Sequence, residues 1–105
     1  MAYPYKLTPL ALADIDEALG YIAERLSNPA AAKRLYRTLR QEIDSVCGNP
    51  CAFPNCTHYL IDDENIRHTL VGNYVLIYEV DRKDRQINIL RFLYGGRDIA
   101  NITMK

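Results

Sequence analysis

Apolar positions along this chain change period twice. Near the N-terminus Tyr3, Tyr5 and Leu7 alternate with Pro4 and Lys6, the spacing of a short strand, and Pro4 belongs at a sheet edge or a strand start because it cannot donate to a ladder. From Leu12 the spacing becomes helical: Leu12, Ile15, Leu19, Ile22 and Leu26 recur at intervals of 3, 4, 3 and 4. Thr8-Pro9 supplies an N-cap and a first helical residue, and Asp14, Asp16 and Glu17 lie toward the positive end of that helix. Ser27-Asn28-Pro29 stops it and starts a second stripe of Ala32, Leu35, Leu39, Ile43 and Val46, with Gly48 expected as the C-terminal cap before Asn49-Pro50. So short a connection makes the two helices antiparallel neighbours.

The final third returns to strand spacing. Ile66–Val71, Tyr74–Val80 and Gln86–Tyr94 are β-rich runs; Gly72-Asn73 is a hairpin signal and Asp81 to Arg85 a polar loop, so the three strands form an antiparallel meander. The predicted fold is α+β: an N-terminal strand, an antiparallel helical hairpin and a three-stranded antiparallel meander in one domain over residues 1–105.

Pairing the strands extends the prediction to faces. A two-residue turn sets Val71 opposite Tyr74, Thr69 opposite Leu76 and Arg67 opposite Tyr78. A second loop at Arg82–Arg85 adds Ile89 and Arg91 to that face and leaves Leu70, Val75, Ile77, Leu90 and Phe92 on the other. One helical hairpin covers one face of a sheet, so the second apolar face needs a cover: the tail Ile99–Lys105, a second copy, or another protein. The expectation is a domain built to be bound, with Val75, Ile77, Leu90 and Phe92 on the partner-covered face.

Composition narrows the classes. The 105 residues suit one core, and 49% apolar content is globular. The 13 basic and 13 acidic residues cancel, which removes bulk positive charge as a means of holding nucleic acid. No apolar run approaches 18 residues and no secretory leader pattern is present, so the expected compartment is the cytoplasm. Cys47, Cys51 and Cys56, with His58, contain the residue types of a zinc site. They lack a C-x-x-C pair and share one loop, so incidental thiols are expected and no metal or cofactor.

The order of elements, together with LTPLALADIDEALGYI, NPAAAKRL, IRHTLVGNYVLIYEV and ILRFLYGGRDI, resembles the RelE/ParE superfamily of toxins from bacterial type II toxin–antitoxin pairs, over essentially the whole chain. The resemblance implies a growth-inhibiting toxin of the plasmid-stabilisation type, neutralised by a cognate antitoxin, with a toxin–antitoxin heterotetramer among its assemblies. Two modes of action follow from it: ParE-like poisoning of DNA gyrase by binding alone, or RelE-like cleavage of messenger RNA on the ribosome. A third is a degenerate toxin that only binds its antitoxin and tunes its own operon.

A nuclease needs a group to activate the ribose hydroxyl, cations for the phosphorane and an acid for the leaving oxygen. RelE-like nucleases tend to carry an Arg where this chain has Val75, and His58, Asp62 and Glu64 are weak substitutes for a base. The remaining candidates are Arg67, Arg91, Tyr94 and Arg97, with His68 expected to be structural. Arg97 follows Gly95-Gly96 and fits either a phosphate or a salt bridge to Asp98; Arg67 and Arg91 fit either RNA or the guarding of a sheet edge. Val75 and the neutral charge favour action by binding.

Overall fold

The computed structural model describes residues 3–49 and 65–95. Strand β1 (Tyr5–Leu7) leads into helix α1 (Pro9–Gly20), a π-helical turn (Tyr21–Arg25) and helix α2 (Pro29–Gly48); β2 (Ile66–Val71), β3 (Tyr74–Asp81) and β4 (Gln86–Tyr94) complete one sheet of order β1-β4-β3-β2. The meander is antiparallel, and β1 lies parallel to β4 at the sheet edge, where Pro4 contributes only its carbonyl, accepting from the Ile87 N–H at 2.9 Å.

Both helix starts follow from their caps. Thr8 Oγ1 accepts from the Ala11 N–H at 3.1 Å and donates to the Leu90 carbonyl at 3.1 Å, fixing α1 to β4 at the point where it begins. Asn28 Oδ1 caps α2 from the Ala31 N–H at 3.1 Å, with Pro29 as first helical residue. The end of α2 differs from expectation. Gly48 closes the helix without a left-handed residue after it, since Asn49 has φ −149 and its N–H bonds back to Ser45 and Val46.

Helix α1 also departs from its expected stripe. Its buried residues are Ala11, Asp14, Ile15 and Ala18, while Leu12 and Leu26 are exposed at 49% and 56%. Two alanines let the helix approach β4 closely, and Asp14 is turned inward by a partner on that strand. The stripe also ends early: at Tyr21 the hydrogen-bond period widens, with the Leu26 N–H reaching the Tyr21 carbonyl at 3.1 Å, so Ile22 and Leu26 leave the α-helical phase. The stripe of α2 matches more closely, with Ala32, Leu39, Ile43 and Val46 buried and Leu35 packed at the core's margin.

The β2–β3 register is the expected one, turning at Gly72 with φ +59, a left-handed value that suits glycine. Between β3 and β4 the loop is again as expected, with Asp81 opposite Gln86 and its Oδ1 accepting from the Asp84 N–H at 3.0 Å. A β-bulge then shifts the pairing: Tyr78 faces Ile89, but Ile77 faces Arg91, leaving Leu90 as the extra residue. Every β4 side chain beyond the bulge changes partner. Phe92 pairs with Leu76 and joins the helix-side core, so it does not belong with Val75, Ile77 and Leu90. Arg91 likewise leaves the face it was expected to share with Tyr78 and Arg67.

The helix-side core unites Ile15, Leu39, Ile43 and Val46 with Leu76, Tyr78, Ile89 and Phe92. On the opposite side Val75, Ile77 and Leu90 stand outside that cluster, yet they are 2%, 0% and 2% exposed. The expected open apolar patch therefore does not exist at these positions in the single chain: whatever binds them meets side chains already removed from water.

Candidate functional site

Arg91 is the buried arginine among the described residues. Its Nε donates to Asp14 Oδ2 at 2.6 Å and its Nη2 to Asp14 Oδ1 at 2.9 Å, and the Phe92 N–H donates to the same Oδ2 at 3.1 Å. With side-chain exposures of 11% and 8%, this is a desolvated, two-pronged ion pair. The Asp14 hydrogen bond holds the guanidinium above its ordinary pKa against the opposing effect of burial. A guanidinium so engaged holds Asp14 and the edge of β4 in place; its charge is neutralised before any phosphate arrives.

Beyond this pair, toward the C-terminal end of β4, a groove of about 920 Å³ runs between α1, the π-helical turn and the start of β3. Its wall is aromatic: Tyr74 stacks on Phe92 with centroids 4.8 Å apart and planes 8° from parallel, and Tyr94 meets Tyr74 edge-on at 5.7 Å. The bulge makes this wall, because only the shifted register brings Phe92 and Tyr94 to the side of Tyr74. Burial raises the Tyr74 hydroxyl pKa, helped by Tyr94, Tyr21 and Glu17. Tyr94 and Tyr21 are 53% and 49% exposed at the mouth, and the Arg25 guanidinium lies 5.9 Å from the Tyr21 ring centre. Asp16, Glu17 and Glu24 line the groove against that one cation, since the charge of Asp14 is taken by Arg91. Among the described residues the lining thus carries more acidic than basic charge, a balance that repels a phosphate backbone and favours a cationic or hydroxyl-rich partner.

The three catalytic candidates among the described residues are not gathered. Tyr94 stands in the groove, Arg91 lies under α1 in its ion pair, and Arg67 is half-buried on β2 opposite Tyr78. Arg97 lies outside the described residues, as do Asp98, His58, Asp62 and Glu64. His68 is buried at 7% opposite Ile77. Cys47 is a free thiol packed in the core, its pKa raised by burial first and Asp44 second, which makes it a poor nucleophile. Cys51 and Cys56 also lie outside the described residues, and among those described no three His, Cys, Asp or Glu side chains converge in a metal-binding cluster.

Sequence reasoning passed over Asp14. The signal was present: Ala11, Asp14, Ile15 and Ala18 are a second helical stripe, at i, i+3, i+4 and i+7, and an acid inside an apolar stripe implies a buried cation elsewhere in the chain.

A helical hairpin on one face of a four-stranded sheet, with the first strand parallel to the last and a tyrosine groove at the sheet's end, defines a small α+β domain. The family model for the ParE toxin of type II toxin-antitoxin system, parDE, matches residues 5–99, and the chain belongs to this family. Among solved structures it is similar to the chromosomal ParDE TA system from P. aeruginosa, with a TM-score of 0.69 and 16% identity over 89% of this chain and 96% of that one, a likeness of fold. No curated protein matches it. Among the described residues no helix is long and apolar enough to cross a membrane.

Proposed function

We propose that this chain is the toxin of a type II toxin–antitoxin module, that it inhibits growth by binding DNA gyrase rather than by cutting RNA, and that a cognate antitoxin neutralises it. The observation that carries this reading is the sign of the groove at Tyr94. The tyrosine best exposed for work on RNA looks over Asp16, Glu17 and Glu24, and the nearest strand cation, Arg91, is neutralised by Asp14. Stabilising a phosphorane calls for preorganised positive charge, and the described residues offer the reverse. Val75, where the nuclease relatives tend to carry Arg, is apolar and 2% exposed. Antitoxin contact through Val75, Ile77 and Leu90 would require the chain to uncover them, so the neutralising contact is better sought on open surface.

The test is induced expression followed by two measurements. Gyrase action predicts intact messages, a DNA-damage response, and inhibition of purified gyrase supercoiling by the isolated protein. Codon-register cleavage of translated messages that disappears in Arg97→Ala or Tyr94→Phe would replace this reading with ribosome-dependent endoribonuclease activity. Unimpaired growth in cells lacking the antitoxin would leave only the autoregulatory role.

A further inference from the structure

The groove at the end of β4 brings exposed rings and unpaired carboxylates to one space. Packing accounts for Tyr74 and Phe92, which stack on each other and border or join the helix-side core. It does not account for Tyr21 and Tyr94, large apolar rings that stay exposed on the same groove. Asp16, Glu17 and Glu24 are exposed there too, and among the described residues no cation forms an ion pair with any of them. The pKa of the Tyr74 hydroxyl is raised by burial first, then by Tyr94, Tyr21 and Glu17, so three phenols and one carboxylate act on a single point.

The acids alone would mark only a solvated helix surface. The rings add faces of negative potential, which attract a weakly hydrated cation. The chain already places one there: the Arg25 guanidinium lies 5.9 Å from the Tyr21 ring centre, near the outer limit of about 6 Å for such a contact. Arg25 is exposed and takes no carboxylate of the groove in an ion pair among the described residues, so this cation is loosely held. A better occupant needs positive charge, a flat face for the rings and N–H donors for the acids. A phosphate backbone fails on charge, and a quaternary ammonium offers no donor. A lysine ammonium has donors but no plane. The guanidinium of arginine has all three properties. At about 920 Å³ the groove is as large as a site for a drug-sized ligand, so there is room for peptide on either side of such an arginine.

We propose that the tyrosine groove is a recognition site for an arginine-bearing segment of a partner protein, with Tyr21 and Tyr94 as its ring faces, Glu17 as its principal carboxylate, and Arg25 as the resident cation that the incoming arginine displaces. This goes beyond the reading above, which uses the groove's charge only against RNA, and it does not depend on gyrase being the target. The probe is a labelled nine-residue peptide of glycine and serine carrying two arginines. Its controls are the same peptide with citrulline, which keeps the shape and loses the charge, and with lysine, which keeps the charge and loses the plane. Fluorescence anisotropy on the full chain at low salt should show the arginine peptide binding at least tenfold more tightly than the citrulline peptide and threefold more tightly than the lysine one, and its affinity should weaken as salt rises. Affinity should fall at least fivefold in Tyr94→Ala and in Glu17→Gln, both exposed positions, with circular dichroism melts to establish that each variant is folded. Arg25→Ala should bind at least twofold more tightly than wild type, whereas Arg82→Ala, which removes an exposed cation from the β3–β4 turn, should not. No binding of the arginine peptide, equal binding of either control, undiminished affinity in the folded variants, or the same gain in Arg82→Ala as in Arg25→Ala would each overturn the proposal. Growth arrest and gyrase inhibition are scored in separate assays, so this site and the toxin reading fail independently.

Discussion

Replacing Asp14 by alanine should come close to unfolding this domain. The carboxylate accepts hydrogen bonds at 2.6 and 2.9 Å from Arg91 and at 3.1 Å from the Phe92 N–H, in a site where neither side chain is more than 11% exposed. Removing it takes the bidentate carboxylate from a desolvated guanidinium and the acceptor from the Phe92 N–H, and breaking a buried pair from one side costs about 3–5 kcal/mol. A domain of this size is stable by about 5–15 kcal/mol, so the loss is a large fraction of the whole. With a urea m-value of about 1.5 kcal/mol/M, the denaturation midpoint should move down by about 2–3 M. The partner variant Arg91→Met should lose a comparable amount by leaving the carboxylate unpaired. The double variant Asp14→Leu/Arg91→Met should recover at least about 2 kcal/mol relative to the sum of the singles, because an apolar pair replaces a desolvated ionic one, even though the Phe92 N–H loses its acceptor. Additive losses, or a loss below about 1 kcal/mol in Asp14→Ala, would refute the reasoning and return Arg91 to the catalytic candidates.

Three further outcomes are expected. Thr8→Ala should cost about 1–2 kcal/mol in denaturant melts, since it removes both the α1 cap and the tie to the Leu90 carbonyl, while Thr8→Ser should retain most of both. Gly72→Ala should cost about 1–2 kcal/mol through its φ of +59 alone, because a Cβ there meets only Leu35 Cδ1 at 4.0 Å; Gly72→Asn should be milder. The Cys47 thiol is raised by burial, so its contribution to stability is fully present below the ordinary thiol value of 9.0 and is lost as the pH rises through the folded value. The melting-temperature difference between wild type and Cys47→Ala should therefore shrink between pH 8 and 10.5, and a difference independent of pH would contradict the assignment.

Much of the architecture was legible because it rests on local rules. Thr8-Pro9 and Asn28-Pro29 announce helix starts, Gly72-Asn73 announces a hairpin, and alternation along β2 and β3 fixes their register. The misreadings share one origin in tertiary geometry. No residue near Leu90 signals a bulge, yet one extra residue moves Phe92 to the helix side and assembles the stacked wall with Tyr74. The π-helical turn at Tyr21 likewise breaks a 3.6-residue count that looks continuous as far as Leu26. The tyrosine groove was legible only as Tyr94, because its acids come from α1 and its shape from the bulge and the turn together.

Strand β1 pairs in parallel with β4, and Thr8 bonds to Leu90 across 82 residues of chain. During synthesis this has a consequence in time. The first strand leaves the ribosome with no partner, and the sheet edge it completes does not exist until the last strand has followed it out. Closing so long a loop comes late and slowly, as non-local pairings do. A chain cut short before β4 has neither the Arg91 that neutralises Asp14 nor the Phe92 and Tyr94 of the groove wall. Incomplete translation products thus lack both the ion pair that seats α1 and the aromatic wall, so the groove takes shape only after β4 has been made.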